Sequence, residues 1–297
     1  MITHLDHVYS YLRDNHLDNT LARAERAGFR IAPNKMRHPA GHFNGFTEMT
    51  GSYLEFISVV DEAEFDKEAT GDDRLFRAEP GPFSSGAVCL DPLQLFLQLK
   101  PRYPTLKPPY SRGETGQVDA VIRWTFCPLP VECTPGCDVF PLKYHSRTGK
   151  PYDLKVGKNS IYGMTGLVLC TDSVDKDMDS WEKTLSPVTS GFRREANEIQ
   201  FGVQKLTWIT PAEYQDRFGA PWLKRSSPCG SVAAVKLGAA SIDTARSFLE
   251  PEGFRVAQGN IETATVAKDR NTGFAFMLER GDPEAFLIGL NQMSGMH

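Results

Sequence analysis

The stretch of sequence that decides the fold lies in the first sixty residues, which begin with LDHVYSYL at 5–12 and end with SYLEFISV at 52–59. Both segments predict strands in the core of a sheet. Each carries one metal-ligating side chain among residues that suit such a core, His7 in the first and Glu55 in the second. A carboxylate there is costly to bury unless it is paired or bound, so Glu55 is the stronger indication of a functional site. The ordinary alternatives are a hydrogen-bonded core histidine and an outward-facing glutamate, which strand alternation also permits.

The residues between these two strands predict one helix and two more strands. Apolar side chains recur at helical spacing through 17–27, and Gly28 stands where a C-terminal helix cap belongs. Strands are predicted at 29–31 and 43–49, and Gly51 allows the tight turn before the last strand. The local order is therefore a strand, a helix and three strands.

The same order recurs along the 297 residues of the chain. Further copies begin near residues 84, 163 and 231, with helices predicted at 92–99, 174–185 and 242–249, a helical insertion at 211–222 and a strand at 117–126. The segment 147–160 combines glycines, lysines and a proline without periodicity, which predicts a linker. We therefore expect an N-terminal domain at 1–146 and a C-terminal domain at 160–297.

The composition excludes several classes of function. The chain is 40% hydrophobic and 24% charged, with a formal net charge of -4, as in an ordinary globular protein. Its basic residues form no stripe that would follow a nucleic-acid backbone, and its apolar runs are far shorter than the ~20 residues that span a bilayer. No basic flank followed by an apolar block opens the sequence, so we expect a cytoplasmic location. The expected partner is a small-molecule substrate, without nucleic acid or membrane, and a homodimer is compatible with these features.

The cysteines indicate reduced thiols rather than a metal site. The chain has six of them, at low density and without an export signal. Cys133 and Cys137 stand four apart around a Pro-Gly pair, but a structural zinc site would need a second close pair of ligands, which the sequence lacks. We therefore predict a hairpin tip at these two cysteines.

A second cluster of polar residues, RHPAGHFN at 37–44, lies between the two ligand-bearing strands. His38 and His42 could complete a metal site or exchange a proton near neutral pH, although both follow turn residues, where histidines are often merely exposed. Asn44 could orient a substrate carbonyl or satisfy a backbone group at a strand edge. These three residues are the candidate catalytic groups.

The candidate substrate-binding groups come from the second copy. Arg123, Lys143 and His145 offer positive charge to an anionic substrate, or are solvated residues on one strand face. Trp124 is one of several aromatic residues that could line a pocket. Other chemistries find no support, because the sequence has no Gly-x-Ser-x-Gly nucleophile motif, no Gly-x-Gly-x-x-Gly motif and no phosphate-binding loop.

The repeated order of strand, helix and three strands resembles the βαβββ module of the vicinal oxygen chelate superfamily, and the first copy resembles its glyoxalase-like branch. The matching segments are LDHV at 5–8, AGF at 27–29, HP at 38–39 followed by Asn44, YLEFI at 53–57, RW at 123–124 and VFPL at 139–142. The resemblance implies an α+β protein of four βαβββ modules, paired into two domains with curved mixed sheets. It also implies a cleft in which His7 and Glu55 hold a divalent metal ion. Such proteins usually draw further ligands from the partner module, where this chain has Ala87 in place of a histidine.

On this resemblance we expect a glyoxalase-like enzyme, a lyase or isomerase that uses a divalent ion to polarise a small oxygen-rich substrate in the N-terminal cleft. The sequence does not distinguish Zn, Mn, Fe, Ni or Mg as that ion. The alternative is a metal-free protein that binds and sequesters a small molecule, as resistance-type relatives of the superfamily do. The C-terminal modules lack a histidine on their first strands and are expected to be scaffold.

Overall fold

Two mixed β-sheets flanked by helices make up the computed structural model, which describes residues 2–38, 41–69, 71–79, 81–115, 121–147, 150–257 and 262–295. The first sheet contains β1 (Ile2–Tyr11), β2 (Arg30–Ile31), β3 (Met36–His38), β4 (His42–Glu48), β5 (Tyr53–Val59), β6 (Ser84–Cys89), β7 (Tyr110–Thr115), β8 (Val121–Phe126) and β9 (Asp138–Tyr144). The second contains β10 (Ile161–Cys170), β11 (Arg193–Glu195), β12 (Glu198–Phe201), β13 (Gln204–Ile209), β14 (Val232–Ala239), β15 (Val256–Ala257), β16 (Thr263–Val266) and β17 (Phe276–Arg280).

The helices lie between and beside these strands. They are α1 (Leu17–Arg26), α2 (Glu62–Glu68), α3 (Gly71–Ala78), α4 (Pro92–Leu99), α5 (Val174–Leu185), α6 (Pro211–Phe218), α7 (Ile242–Leu249) and α8 (Pro283–Met293). The buried face of α1 carries Leu17, Leu21 and Ala24, and the helix lies against β4 and β5. No helix in the described part of the chain is long and apolar enough to cross a membrane.

Both sheets are built on one plan. The first has the order β2-β4-β5-β1-β6-β9-β8-β7, with β3 also paired to β4, and the second has the order β11-β12-β13-β10-β14-β17-β16-β15. In the first sheet β1 lies parallel to β5 and antiparallel to β6, which lies parallel to β9. Each half of each sheet is one strand-helix-three-strand module, and the first module carries the short β3 as an additional strand. The predicted α+β fold of four βαβββ modules is therefore confirmed.

The periodicity of the sequence locates the helices better than the short strands. Helices α4, α5 and α7 have the predicted bounds, and α6 ends four residues before the predicted end because Gly219 caps it in the left-handed conformation. Strands β3 and β7 and helix α8 were not predicted. The predicted strand at 117–126 corresponds to β8 from 121 onward, while residues 117–120 lie outside the described residues, as do 39–40 and 148–149.

All six cysteines are buried. Cys133 and Cys137 flank a run of turns between β8 and β9. Burial raises the pKa of both thiols, that of Cys133 to about 12, so both stay protonated at neutral pH.

Candidate functional site

A cleft of about 1110 Å³ opens on the curved face of the first sheet. The sheet bends far enough to bring β3 of the first module close to β7 of the second. Strand alternation decides which side chains enter this cleft. In β5, Tyr53, Glu55 and Ile57 line it, whereas the intervening Leu54 and Phe56 belong to the hydrophobic core.

A β-bulge in β1 brings the side chains of two consecutive polar residues together, and the second of them, His7, lines the cleft. In the pairing of β1 with β6, Leu5 lies opposite Ala87 and His7 lies opposite Gly86, so Asp6 is the extra residue of the bulge. Both side chains are buried, and Asp6 Oδ2 lies 2.8 Å from His7 Nδ1. Without the bulge, Asp6 and His7 would point to opposite faces of the sheet.

The imidazole of His7 is held from three sides. It stacks on Tyr53 with ring centres 4.5 Å apart and meets the edge of Phe140 at 5.2 Å. The third side is Gly86, where an added Cβ would lie 2.2 Å from Cε1 of the ring. Glycine at position 86 is therefore what leaves room for His7.

The contact between Asp6 and Nδ1 of His7 determines whether the other ring nitrogen, Nε2, has a free lone pair. An ionised carboxylate accepts hydrogen bonds only, so Nδ1 carries the proton in the neutral imidazole. The lone pair of Nε2 is then available, and Nε2 lies 3.6 Å from Glu55 Oε2. Metal-binding histidines commonly have such surroundings. One ring nitrogen donates to a carboxylate, and the other nitrogen faces the metal and its further ligands.

The candidate catalytic residues meet at the same place. Asn44 Nδ2 donates to Glu55 Oε1 and lies 2.8 Å from His38 Nε2, and His38 stacks on His42 at 4.7 Å. This orientation of the amide follows from chemistry, because its oxygen would otherwise face the carboxylate of Glu55. The structure thus brings His38, His42 and Asn44 into one cluster with the two predicted metal ligands.

Two tyrosines extend the network from Asp6. Tyr144 donates to Asp6 Oδ2 at 2.8 Å, and its hydroxyl lies 2.9 Å from that of Tyr53. Burial raises the pKa of Tyr53 well above its ordinary value, and the neighbouring Tyr144 adds to the effect. Tyr53 is therefore a neutral hydrogen-bonding group at physiological pH.

The cleft also has acidic and aromatic residues beside the C-terminal half of β1. Tyr11 donates to Asp73 at 3.1 Å, and Ser84 donates to Asp138 Oδ2 at 2.7 Å. Burial, followed by the charge of Asp138, raises the pKa of Tyr9. This part of the cleft presents carboxylates and neutral phenols.

Three of the four predicted substrate-binding residues do not line the cleft. Trp124 does, but Arg123 and Lys143 fall on the opposite face because strand alternation turns them away. His145 is exposed and lies 2.9 Å from Thr125 on that outer face. Arg123, Lys143 and His145 therefore do not place positive charge in the cleft, where it was expected for an anionic substrate.

The residues present fit part of a metal site. Ligand bonds of about 2.0–2.2 Å allow one ion to bridge a nitrogen and an oxygen up to about 4.2 Å apart, and His7 and Glu55 meet that limit. The described residues include no group of three or more His, Cys, Asp or Glu side chains that could hold an ion. Asn44 Oδ1 is buried and has no hydrogen-bond partner among the described residues, and an amide oxygen suits hard cations. The separation of His7 and Glu55 is therefore compatible with a shared ion, and the described residues supply no third His, Cys, Asp or Glu ligand beside them.

The second sheet has different residues at the positions that correspond to His7 and Gly86 of the first sheet. Its β10 has the same register shift against β14, with Met164 opposite Leu237 and Gly166 opposite Lys236. Lys236 is buried, and its ammonium lies 2.9 Å from Glu279 and 3.2 Å from Thr207. The C-terminal sheet thus buries a cationic side chain, that of Lys236. It lies opposite Gly166, which has the same position in β10 that His7 has in β1.

The sequence indicated Tyr144 as one of several aromatic residues that could line a pocket, but it did not indicate Asp6, Gly86 or Tyr53. The adjacent Asp-His pair was a usable signal, but strand alternation argues that neighbours face opposite ways. Only the bulge, which is visible in the register, places them together. Gly86 could not be recognised without knowing which residue of β6 lies opposite His7.

Comparison with known proteins supports the same fold. Residues 5–94 match a family model described as a glyoxalase-like domain. A hypothetical protein from Staphylococcus aureus is similar, with a TM-score of 0.62 at 11% identity over 95% of this chain and 100% of that one. A search of curated proteins found no significant match.

Two enzymes are among the similar structures. The Mn(II)-bound glyoxalase from Novosphingobium aromaticivorans gives a TM-score of 0.51 at 11% identity, over 94% of this chain and 82% of that one. A catechol 2,3-dioxygenase gives a TM-score of 0.50 at 12% identity, over 95% of this chain and 88% of that one. At such identities the likeness concerns the fold.

Proposed function

Because the chain has the fold of the vicinal oxygen chelate superfamily and carries a glyoxalase-like domain, we propose that it is a divalent-metal-dependent lyase or isomerase. Its substrate is a small oxygen-rich molecule that binds in the N-terminal cleft. The observation that carries this proposal is the Asp6-His7-Glu55 arrangement, with the carboxylate of Asp6 2.8 Å from one nitrogen of His7 and Glu55 3.6 Å from the other.

In this proposal His7 and Glu55 would hold the ion, and Asp6 would orient the imidazole of His7 through the contact at Nδ1. A divalent ion in such a site acts as a Lewis acid that polarises a bound carbonyl or enolate oxygen. Asn44 keeps the carboxylate of Glu55 in place by donating to Oε1. His38, half-buried at the edge of the same cluster, is the group that exchanges a proton with the substrate, and His42 stacks behind it.

The cleft favours a substrate without negative charge. Its ionisable lining, beyond the histidines and tyrosines, includes the six carboxylates of Glu48, Glu55, Glu68, Asp73, Asp138 and Asp153 and the two lysines Lys150 and Lys155. One of these lysines, Lys155, pairs with Glu48 at 3.0 Å. A divalent ion would offset only part of this negative potential, so uncharged polyols, catechols or hydroxyketones suit the cleft better than carboxylates or phosphates.

Metal titration tests the site. Calorimetric titration of chelator-treated protein with Mn²⁺ should give one site per chain. His7→Ala and Glu55→Ala should each weaken it by roughly 100-fold or more, because each removes a direct ligand. The matched control is His16→Ala, an exposed histidine of the same domain. Unchanged affinity in either ligand variant would rule out this site.

The reaction is tested with a panel of catechols, hydroxyketones and hemithioacetals, followed by NMR with Mn²⁺-loaded protein. Conversion that disappears in Glu55→Ala and falls in His38→Ala supports the enzyme. Tight binding without conversion supports the alternative, a small-molecule sequestering protein. One observation favours that alternative: Phe140, an aromatic residue, lies beside His7 on the second-module side.

A further inference from the structure

We propose that Gln204, in the C-terminal part of the chain, is a positioning residue for the Asp6-His7 pair of the N-terminal cleft. This inference rests on the function proposed above. It assigns to the C-terminal sheet a direct part in building the site, through hydrogen bonds to the strand that carries the predicted metal ligand.

The side chain of Gln204 is fully buried and makes three hydrogen bonds to backbone groups. Its Oε1 accepts from the Leu5 N–H at 2.5 Å, and its Nε2 donates to the Leu5 carbonyl at 3.0 Å and to the Met164 carbonyl at 2.8 Å. Both backbone groups of Leu5 are thus bonded by one amide, as they would be by a peptide group of a neighbouring strand.

Leu5 is the residue immediately before the bulge. The pairing of β1 with β6 passes from Leu5 opposite Ala87 to His7 opposite Gly86, and Asp6 is the additional residue. The amide of Gln204 bonds the N–H and the carbonyl of Leu5, so a side chain of the other sheet holds the residue at which the bulge begins.

The position of Asp6 depends on that bulge. If the bulge were lost, a shift by one residue would turn Asp6 or His7 to the opposite face and break their 2.8 Å contact. Without the amide of Gln204, Leu5 would also keep a buried N–H and carbonyl without these partners, which is unfavourable. Gln204 therefore acts on His7 through the backbone of β1 and touches neither metal ligand.

The same amide joins the two sheets at equivalent points. Met164, whose carbonyl accepts from Gln204, immediately precedes the matching register shift of β10. The hairpin before Gln204 also lies against β1, since a Cβ added at Gly202 would come within 2.0 Å of the Thr3 carbonyl oxygen. The start of β1 is therefore fixed by contacts from the second sheet.

The test compares Gln204→Leu with Gln200→Leu. Gln200 lies in the same hairpin and donates to the Gly202 carbonyl, so it controls for general damage to the hairpin. We expect Gln204→Leu to weaken Mn²⁺ binding by roughly tenfold or more. We also expect it to remove or shift the downfield proton resonance of His7 Nδ1–H, assigned by its loss in His7→Ala. Both measurements are made well below the midpoint temperature of thermal unfolding of each variant.

A second variant keeps the test decisive if Gln204→Leu does not fold. Gln204→Glu keeps the acceptor for the Leu5 N–H but replaces the donor that faces two carbonyls, and it should produce the same two changes. Wild-type Mn²⁺ affinity and an unchanged His7 resonance in either folded variant would overturn the inference. If wild-type protein binds no Mn²⁺, the proposed function fails, whereas the His7 resonance still tests the role of Gln204.

Discussion

At the scale of single residues, the site depends on small groups that set the state of one imidazole. Asp6 lies between two donors, His7 and Tyr144, and thereby decides which nitrogen of His7 carries the proton. Gly86 contributes by lacking a side chain. Neither residue is one of the two proposed metal ligands, yet the position of the His7 imidazole follows from both of them.

Asp6→Asn should weaken Mn²⁺ binding by roughly 10–100-fold. The amide carries no negative charge and can present a donor to Nδ1, which favours the tautomer with the proton on Nε2, facing Glu55. Calorimetric titration measures the effect, and Asp18→Asn, an exposed aspartate of α1, is the control. Affinity equal to wild type would show that Asp6 does not govern His7.

Gly86→Ala should displace the His7 ring, because the new Cβ would lie 2.2 Å from Cε1. We expect Mn²⁺ affinity to fall by roughly tenfold or more, together with a loss of stability of about 1–3 kcal/mol from overpacking. Denaturant unfolding and metal titration of the same preparation separate the two effects. A variant with wild-type affinity and stability would contradict the role assigned to Gly86.

At the scale of secondary-structure elements, helix α1 joins the two halves of the chain. Arg23, in its last turn, donates to Asp269 at 2.7 Å and lies over the ring of Phe254 at 4.2 Å. Burial acts to raise the pKa of Asp269, but hydrogen bonds from the backbone of Thr272 and from Arg23 outweigh it, so the pKa is lowered. This carboxylate therefore stabilises the fold while it is ionised.

The pH dependence of this contact follows from the sign of the shift. A lowered pKa in the folded state adds stability that is fully present above the unfolded value of about 3.9 and is lost as pH falls through the folded value. Arg23→Met should thus cost roughly 1 kcal/mol at pH 7 and less at pH 3. Urea unfolding at both values measures this difference.

The control for that prediction is Arg26→Met. Arg26 lies on the same helix and pairs with Glu252, but it is largely exposed, so its removal should change stability little. A loss that is the same at pH 7 and pH 3 for Arg23→Met would mean that packing on Phe254, and not the charge of Asp269, accounts for the contribution.

At the scale of the whole molecule, four modules share one plan while their chemistry differs. The N-terminal sheet presents His7 and Glu55 in an open cleft, and the C-terminal sheet buries Lys236 beside Glu279. Metal binding should therefore be limited to one ion per chain. Lys236→Met should leave the Mn²⁺ stoichiometry and affinity unchanged and lower stability by about 1–3 kcal/mol, because Glu279 loses its partner. A second strong Mn²⁺ site in wild-type protein would contradict this assignment.

The sequence predicted the modules because each long helix and first strand has a strong hydrophobic period. It also drew attention to His7 and Glu55, because a histidine and a carboxylate inside core strands are unusual, and the structure places both in the cleft, 3.6 Å apart. It did not predict that Arg123 and Lys143 face away from the cleft, because alternation alone does not say which face of a strand is inside. Asp6 and Gln204 depend on a bulge and on a contact between the sheets, which arise only in the folded chain.

An anomalous difference map from crystals equilibrated with Mn²⁺ is the sharpest test of the proposed metal site. We expect one strong peak per chain, within about 2.0–2.4 Å of His7 Nε2 and of a carboxylate oxygen of Glu55. The absence of a peak at this position, or a peak only at other carboxylates of the cleft such as Asp73 and Asp138, would contradict it.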